Sequence, residues 1–166
     1  MKKMCLSALF LALNIILVRL LSLNAWNMKL NLGFIAIAAA AYFCGKGYAI
    51  AVAALGDLLG ALLFPVGVYH PCFTVTAALV GLVYGSTVRE GVEEHGIWAL
   101  GTIAIINQLF IGLILNTALI AWVYHVDLRA LMPMRILQAF IQGYVELFVL
   151  LAAIPIFERI KHAAHL

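Results

Sequence analysis

Long apolar runs divided by short polar breaks set the pattern of this chain. The first run extends from about Met4 to Leu23 and is followed by a polar stretch with Asn24, Trp26, Asn27 and Lys29. Leu30–Cys44 forms the second, ended by Gly45-Lys46-Gly47, and Tyr48–Phe64 the third. Pro65–Cys72 then interrupts the pattern before a fourth run over Phe73–Val88. A charged segment, Arg89–Gly96, leads to a long fifth run, Ile97–His125. After the short turn VDLRALMP, a sixth covers Met134–Phe157 and ends in a basic tail. Runs near the ~20 residues needed to cross a bilayer read as spans. Each should be a helix, because a helix satisfies its own backbone hydrogen bonds in lipid. The pattern predicts an all-α membrane protein with six transmembrane helices, forming a single domain over residues 1–166.

Composition points the same way. The chain is 66% apolar and 10% charged, with a mean hydropathy of +1.12, whereas a soluble domain is about 45–50% apolar and about 25% charged. It cannot clothe a globular surface in polar groups, and its length leaves no room for a separate soluble enzyme. The net charge of +3 is not gathered into a nucleic-acid patch. With a cytoplasmic N-terminus, Lys2, Lys3, Lys46, Arg89, Arg159 and Lys161 lie inside, and Lys29 and Arg129 outside. Arg19 and Arg135 then sit near outer helix ends. The bias predicts an N-in, C-in topology. The start MKKMCLSALFLALNIILV has the basic opening of a signal peptide, but no good small-x-small cleavage site precedes Trp26 and no lipobox-like stretch precedes Cys5, so it reads as the first span. Cys5, Cys44 and Cys72 are too far apart for a local metal motif and read as free thiols.

The break in ALLFPVGVYHPCFTVTAALVG, Ala61–Gly81, is the first candidate for function. Pro65, Gly67 and Pro71 are poor helix-interior residues, and Tyr69, His70 and Thr74 do not suit a lipid-facing surface. Arg19 interrupts NIILVRLLS, where an arginine at a span centre costs ~2.5–3.5 kcal/mol and less near an end. It either snorkels to the headgroups or faces a watery cavity, where its planar fork suits a carboxylate. Arg135 is placed similarly. Asp57 and Glu146 fall near mid-membrane, where acids are rarely accidental. Each is read as protonated or as paired with polar groups such as Asn14, Asn107 or Gln142, and Asp57 is alternatively an acceptor for a heterocycle's N–H and NH2 groups. Gln108, Asn116, Gln138 and Gln142 supply amides that can read a ring edge. Trp26, Tyr69, Phe73, Trp122 and Tyr124 can stack on a flat ring, although tryptophans also belong to interfacial belts.

Small residues four apart (Ala8/Ala12, Ala36/Ala40, Gly56/Gly60, Gly81/Gly85) allow close helix approach, either within the bundle or onto a partner. Ala8/Ala12 is the candidate for partner docking. On a straight helix Arg19 shares that face, so both roles require the helix to bend or the pocket to open above the docking surface. Gly45-Lys46 is not a P-loop, because Gly47 stands where Ser or Thr is required. No G-x-S-x-G, H-E-x-x-H or paired-aspartate motif is present, and the five histidines do not fall at ligand spacing. An enzyme is therefore not expected, nor a metal or other cofactor.

The stretch GDLLGALLFPVGVYHPCFTVTAALVGLVYG, Gly56–Gly85, resembles the substrate-binding S components of energy-coupling factor (ECF) vitamin transporters, most closely the folate-specific branch with its G-A-L-L-F-P-x-G-x-Y-x-P-G-F-T-like segment. LVRLLS, the LNT of Leu115–Thr117 and the MRILQ of Met134–Gln138 are similar as well, so the resemblance covers most of the chain in order. Cys72 stands where that branch usually has glycine, which keeps a small residue but removes freedom at positive φ. The resemblance implies the six-helix S-component fold and a vitamin site near the outer face, roofed by the first loop and by the Pro65–Cys72 loop. The substrate-binding set it implies, together with the residue reading, is Arg19, Trp26, Tyr69, His70, Phe73, Thr74, Asn116, Arg135 and Gln138. It further implies docking of the first helix on a transmembrane coupling protein driven by two ATPase subunits, toppling of the S component to deliver ligand, and a prokaryotic cell membrane. The expected function is capture of folate or a reduced folate for an ABC-type importer. An S component for another flat or anionic vitamin, and a non-binding membrane scaffold, are the alternatives.

Overall fold

The computed structural model describes residues 1–21, 23–25, 28–65, 69–88 and 96–164. Trp26 and most of the charged 89–96 segment lie outside them. In chain order the elements are α1 (Lys2–Arg19), a hairpin of β1 (Leu23–Ala25) and β2 (Met28–Leu30), α2 (Phe34–Phe43), α3 (Lys46–Leu63), α4 (Pro71–Thr87), α5 (Ile97–Ile105), a π-helical segment π1 (Ile106–Asn116), α6 (Thr117–Tyr124) and α7 (Leu128–Ala164). The fold is α-helical, as the apolar runs require. Three helical stretches are long and apolar enough to cross a membrane: Lys46–Leu63, Trp98–Tyr124 and Leu128–Lys161. Phe34–Phe43 and Pro71–Thr87 are apolar but shorter, so six crossings do not follow from length and composition alone.

Three local features differ from the sequence reading. The polar stretch after α1 is a two-stranded antiparallel ladder with Asn24 opposite Lys29, which pairs backbone groups that a loop would leave to other partners. Helix α4 starts at Pro71, two residues early, because a proline fits the first turn, where no intrahelical donor is needed. VDLRALMP is mostly helix rather than turn. His125 adopts a left-handed conformation (φ 52°) at the end of α6, the Arg129 N–H donates to Asp127 Oδ1 at 3.0 Å, and α7 then runs from Leu128 with Pro133 and Pro155 inside it. The reversal is compressed into three residues because Asp127 caps the new helix.

Helix α2 is wrapped by the others. Ala36, Ala38 and Ala40 are fully buried, and Phe34, Ile37 and Tyr42 nearly so. The core continues through Ala49 and Ala53 of α3, Tyr84 of α4, Leu100 and Ile103 of α5, and Leu150, Ile154 and Phe157 of α7. Phe10, Tyr42, Phe43 and Phe157 form an aromatic cluster at one end. Helices α3 and α4 approach closely because Gly81 and Gly85 present no side chain. A Cβ at Gly81 would stand 2.7 Å from the Ala49 carbonyl oxygen and one at Gly85 2.7 Å from Lys46 Cα. The other glycine pair, Gly56/Gly60, faces Asn14 and Arg19 of α1. These pairs therefore pack inside the bundle, whereas Ala8 and Ala12 are exposed on α1.

Candidate functional site

A cavity of about 670 Å³ opens between α1, α2, α3, α4, π1, α6 and α7. One wall is a single face of α7, where Arg135, Gln138, Ala139, Gln142 and Glu146 recur at helical spacing. Gln142 ties this wall to the end of the hairpin. The Asn31 N–H donates to Gln142 Oε1 at 3.1 Å, and Gln142 Nε2 donates to the Asn31 carbonyl at 2.7 Å. The side-chain amide thus acts as one more strand residue, holding the backbone after β2 against α7.

The opposite wall comes from π1. Asn107, Gln108, Ile111, Gly112 and Asn116 all line the cavity. The nine-residue step from Asn107 to Asn116 is about two and a half turns of α-helix, which would put them on opposite faces. Hydrogen bonding from i to i+5 widens the turn, so the same step is about two turns and both side chains face one way. The π register is what gathers these amides.

Between the walls, α1 and α3 supply Asn14, Arg19 and Asp57. The Asn14 amide donates to the Val52 carbonyl at 3.2 Å. Arg19 Nη1 reaches the Phe64 carbonyl at 3.4 Å, with the guanidinium lying over Gly60. The side chain reaches sideways toward α3, which separates Arg19 from the exposed Ala8/Ala12 face on an unbroken α1. Asp57 Oδ2 accepts from the Thr74 hydroxyl at 2.9 Å. Because that proton is committed, the Tyr69 hydroxyl, 2.8 Å from Thr74 Oγ1, is the donor in its own contact. Tyr69, Thr74 and Asp57 form a one-way chain of hydroxyls ending on a carboxylate.

Glu146 is 1% exposed and accepts from Tyr84, from Asn107 Nδ2 at 3.0 Å and from Gln108 Nε2. Of the amides weighed as partners for the two acids, Asn107 serves Glu146, while Asn14 and Gln142 bond backbone groups instead. Among the described residues three buried side-chain polar atoms have no partner: Asn14 Oδ1, Arg19 Nε and Asn107 Oδ1. All three belong to residues of the cavity wall. Buried polar atoms are ordinarily satisfied, and these two acceptors and one cationic donor are left unpaired within the wall. No cluster of three or more metal-ligating side chains occurs among the described residues.

The family model for the substrate-specific component of ECF transporters matches residues 2–154. The chain belongs to this family. It is a multi-pass membrane S component, a transport subunit rather than an enzyme. A stretch of 78 residues is 35% identical to the folate transporter FolT of Clostridium novyi (strain NT), covering 47% of this chain. The match spans 45% of that relative's length, less than half of it. A crystal structure of FolT bound with folic acid superposes with a TM-score of 0.81 at 22% identity, covering 91% of this chain and 90% of that one. The architecture is therefore that of an S component.

Within this S component the cavity brings together Arg19, Tyr69, Phe73, Asn116, Arg135 and Gln138 of the expected binding set. Thr74 acts one step back, through Asp57. His70 is not part of the lining. Its Nδ1 accepts from the Cys72 N–H at 3.4 Å as the N-cap of α4, and its ring packs edge-on against Trp122. Trp26 lies outside the described residues. Cys72 sits in the first turn of α4, on a helical backbone that makes no demand for glycine. Tyr84 was not anticipated, because an apolar run with one tyrosine reads as lipid-facing or core. Asn31 was also missed, and here the signal was present in the polar residues flanking the first break.

Proposed function

We propose that this S component captures folate or a reduced folate and presents it for ATP-driven uptake. The observation carrying the reading is the polarity of the α7 wall. Arg135 and Glu146 are eleven residues apart on one face, about 16 Å along a helix. Such a cavity offers a cation near one end and acceptors near the other, with Arg19 adding a second cation. Folate matches this with a carboxylate-bearing tail and a flat, donor-bearing ring at opposite ends. The volume falls within the ~300–1,000 Å³ usual for small-molecule sites. Phe73, Tyr69 and Tyr124 provide aromatic surface, and Asn116 and Gln138 provide amides. The similarity to FolT of C. novyi supports the same ligand class.

The rest of the reading follows the family. The chain crosses a prokaryotic cell membrane six times with both termini inside. It docks through the exposed Ala8/Ala12 face on a transmembrane coupling protein with two ATPase subunits. Titration of the detergent-purified protein with folic acid and reduced folates, followed by tryptophan fluorescence, tests the ligand. Saturable binding that Arg19→Ala and Arg135→Ala weaken supports folate. Saturable binding of another flat or anionic vitamin instead moves the specificity. A folded protein that binds none of these, and whose arginine variants change only assembly, supports the scaffold alternative.

A further inference from the structure

Glu146 lines the cavity, yet its carboxyl oxygens are already engaged by Tyr84, Asn107 and Gln108. A carboxylate only accepts hydrogen bonds, whereas an amide has one accepting and one donating end. By taking the NH2 groups of Asn107 and Gln108, Glu146 fixes which end of each amide is left over. For Asn107 the remainder is Oδ1, buried and without a partner on the cavity wall. For Gln108 it is Oε1 on the neighbouring position of π1. A free amide can turn over and present either end to a ligand. These two cannot do so without leaving a buried carboxylate short of donors.

We infer that Glu146 is a positioning residue that sets the hydrogen-bond polarity of the site: it makes Asn107, with Gln108 beside it, an obligatory acceptor, so that this end of the cavity selects a ring edge carrying N–H donors and rejects the same ring with that donor removed. The inference rests on the folate reading, since a pterin-type ring carries such an edge (an amino group beside a ring N–H). Tyr84 has a part in it, because its hydroxyl on α4 gives Glu146 Oε1 a second donor beside Asn107, while Gln108 alone serves Oε2. The three donors come from two separate elements, α4 and π1, so the polarity is a property of the folded bundle.

The discriminating experiment compares two ligands on the full-length detergent-purified protein: folic acid, and the analogue whose 2-amino group is replaced by methyl. The wild type should prefer folic acid by roughly tenfold or more, the usual consequence of leaving a buried acceptor unpaired. Glu146→Gln should bring the ratio close to one. A glutamine there presents one donating end, which the Asn107 carbonyl can turn to accept, and the fixed polarity is lost. Asn107→Ala, which removes the acceptor and leaves Glu146 with two donors, should flatten the ratio in the same way and serves if Glu146→Gln does not fold. A purely structural role for Glu146 would weaken both ligands in parallel and leave the ratio intact, and that result overturns the inference. So does a wild-type ratio near one. If the folded wild type binds no folate at all, the folate reading falls and this inference falls with it, a different outcome from binding with an unchanged ratio.

Discussion

A Cβ placed on Gly60 would stand 2.9 Å from Arg19 Nε. The glycine of α3 is therefore the floor on which the α1 guanidinium rests. Gly60→Ala is expected to separate stability from binding. Alanine favours the helix by about 0.5–1 kcal/mol over glycine, and the guanidinium can move aside, so thermal stability should hold or rise. Affinity for an anionic ligand should fall several-fold as Arg19 is displaced. Thermal unfolding and ligand titration on the same sample check both halves; unchanged affinity would show that Arg19 does not contact the ligand.

Gly81 should behave in the opposite manner. Its missing Cβ would meet the Ala49 carbonyl at 2.7 Å and Ile50 Cα at 2.8 Å, which are backbone atoms that cannot rotate away. Gly81→Ala is expected to force α3 and α4 apart and to cost about 1–3 kcal/mol, the usual range for overpacking. A lowered unfolding temperature in detergent, with no gain from the improved helix propensity, is the expected readout.

The chain Tyr69–Thr74–Asp57 predicts a graded series at position 74. Thr74→Val keeps the shape but removes the hydroxyl, leaving Asp57 without that donor, at a cost of roughly 1–3 kcal/mol. Thr74→Ser should restore most of the loss. Ligand affinity and melting temperature should move together across the series, because Asp57 lines the cavity. Equal behaviour of the valine and serine variants would mean that the hydroxyl carries no weight.

Gln142 makes two hydrogen bonds to the backbone of Asn31, so Gln142→Met should release the hairpin end from α7 while preserving bulk. Hydrogen–deuterium exchange across residues 28–33 should speed up relative to α3, and ligand dissociation should quicken with it. An exchange pattern identical to the wild type would show that the hairpin is held by other contacts.

Much of the fold was readable in the chain because lipid makes hydrophobic run length and helix formation nearly the same statement. The breaks at Gly45 and Pro65 were legible for the same reason. The hairpin was not, since its strands are three residues each and offer no period to detect. The start of α7 was hidden because Asp127 and Arg129 read as loop residues until the Asp127 cap is seen. Arg19 and Arg135 stood out as charges in apolar surroundings. His70 stood out in the Pro65–Cys72 break, but its place as the N-cap of α4 was hidden, because that depends on where α4 begins. The amides of π1 were individually visible, but their common face was not: a reading at 3.6 residues per turn sends Asn107 and Asn116 apart.

That widened turn also bears on how such a site changes over time. Inserting or deleting one residue in an ordinary helix swings everything downstream by about 100° and scrambles the packing. A π segment can take up or release single residues while Thr117 and the rest of α6 keep their seats. Length variation, normally confined to loops, thus becomes available inside a membrane helix, at the positions that face the cargo. Related transporters can then differ in ligand through a single gained or lost codon in this segment, with every contacting residue type retained.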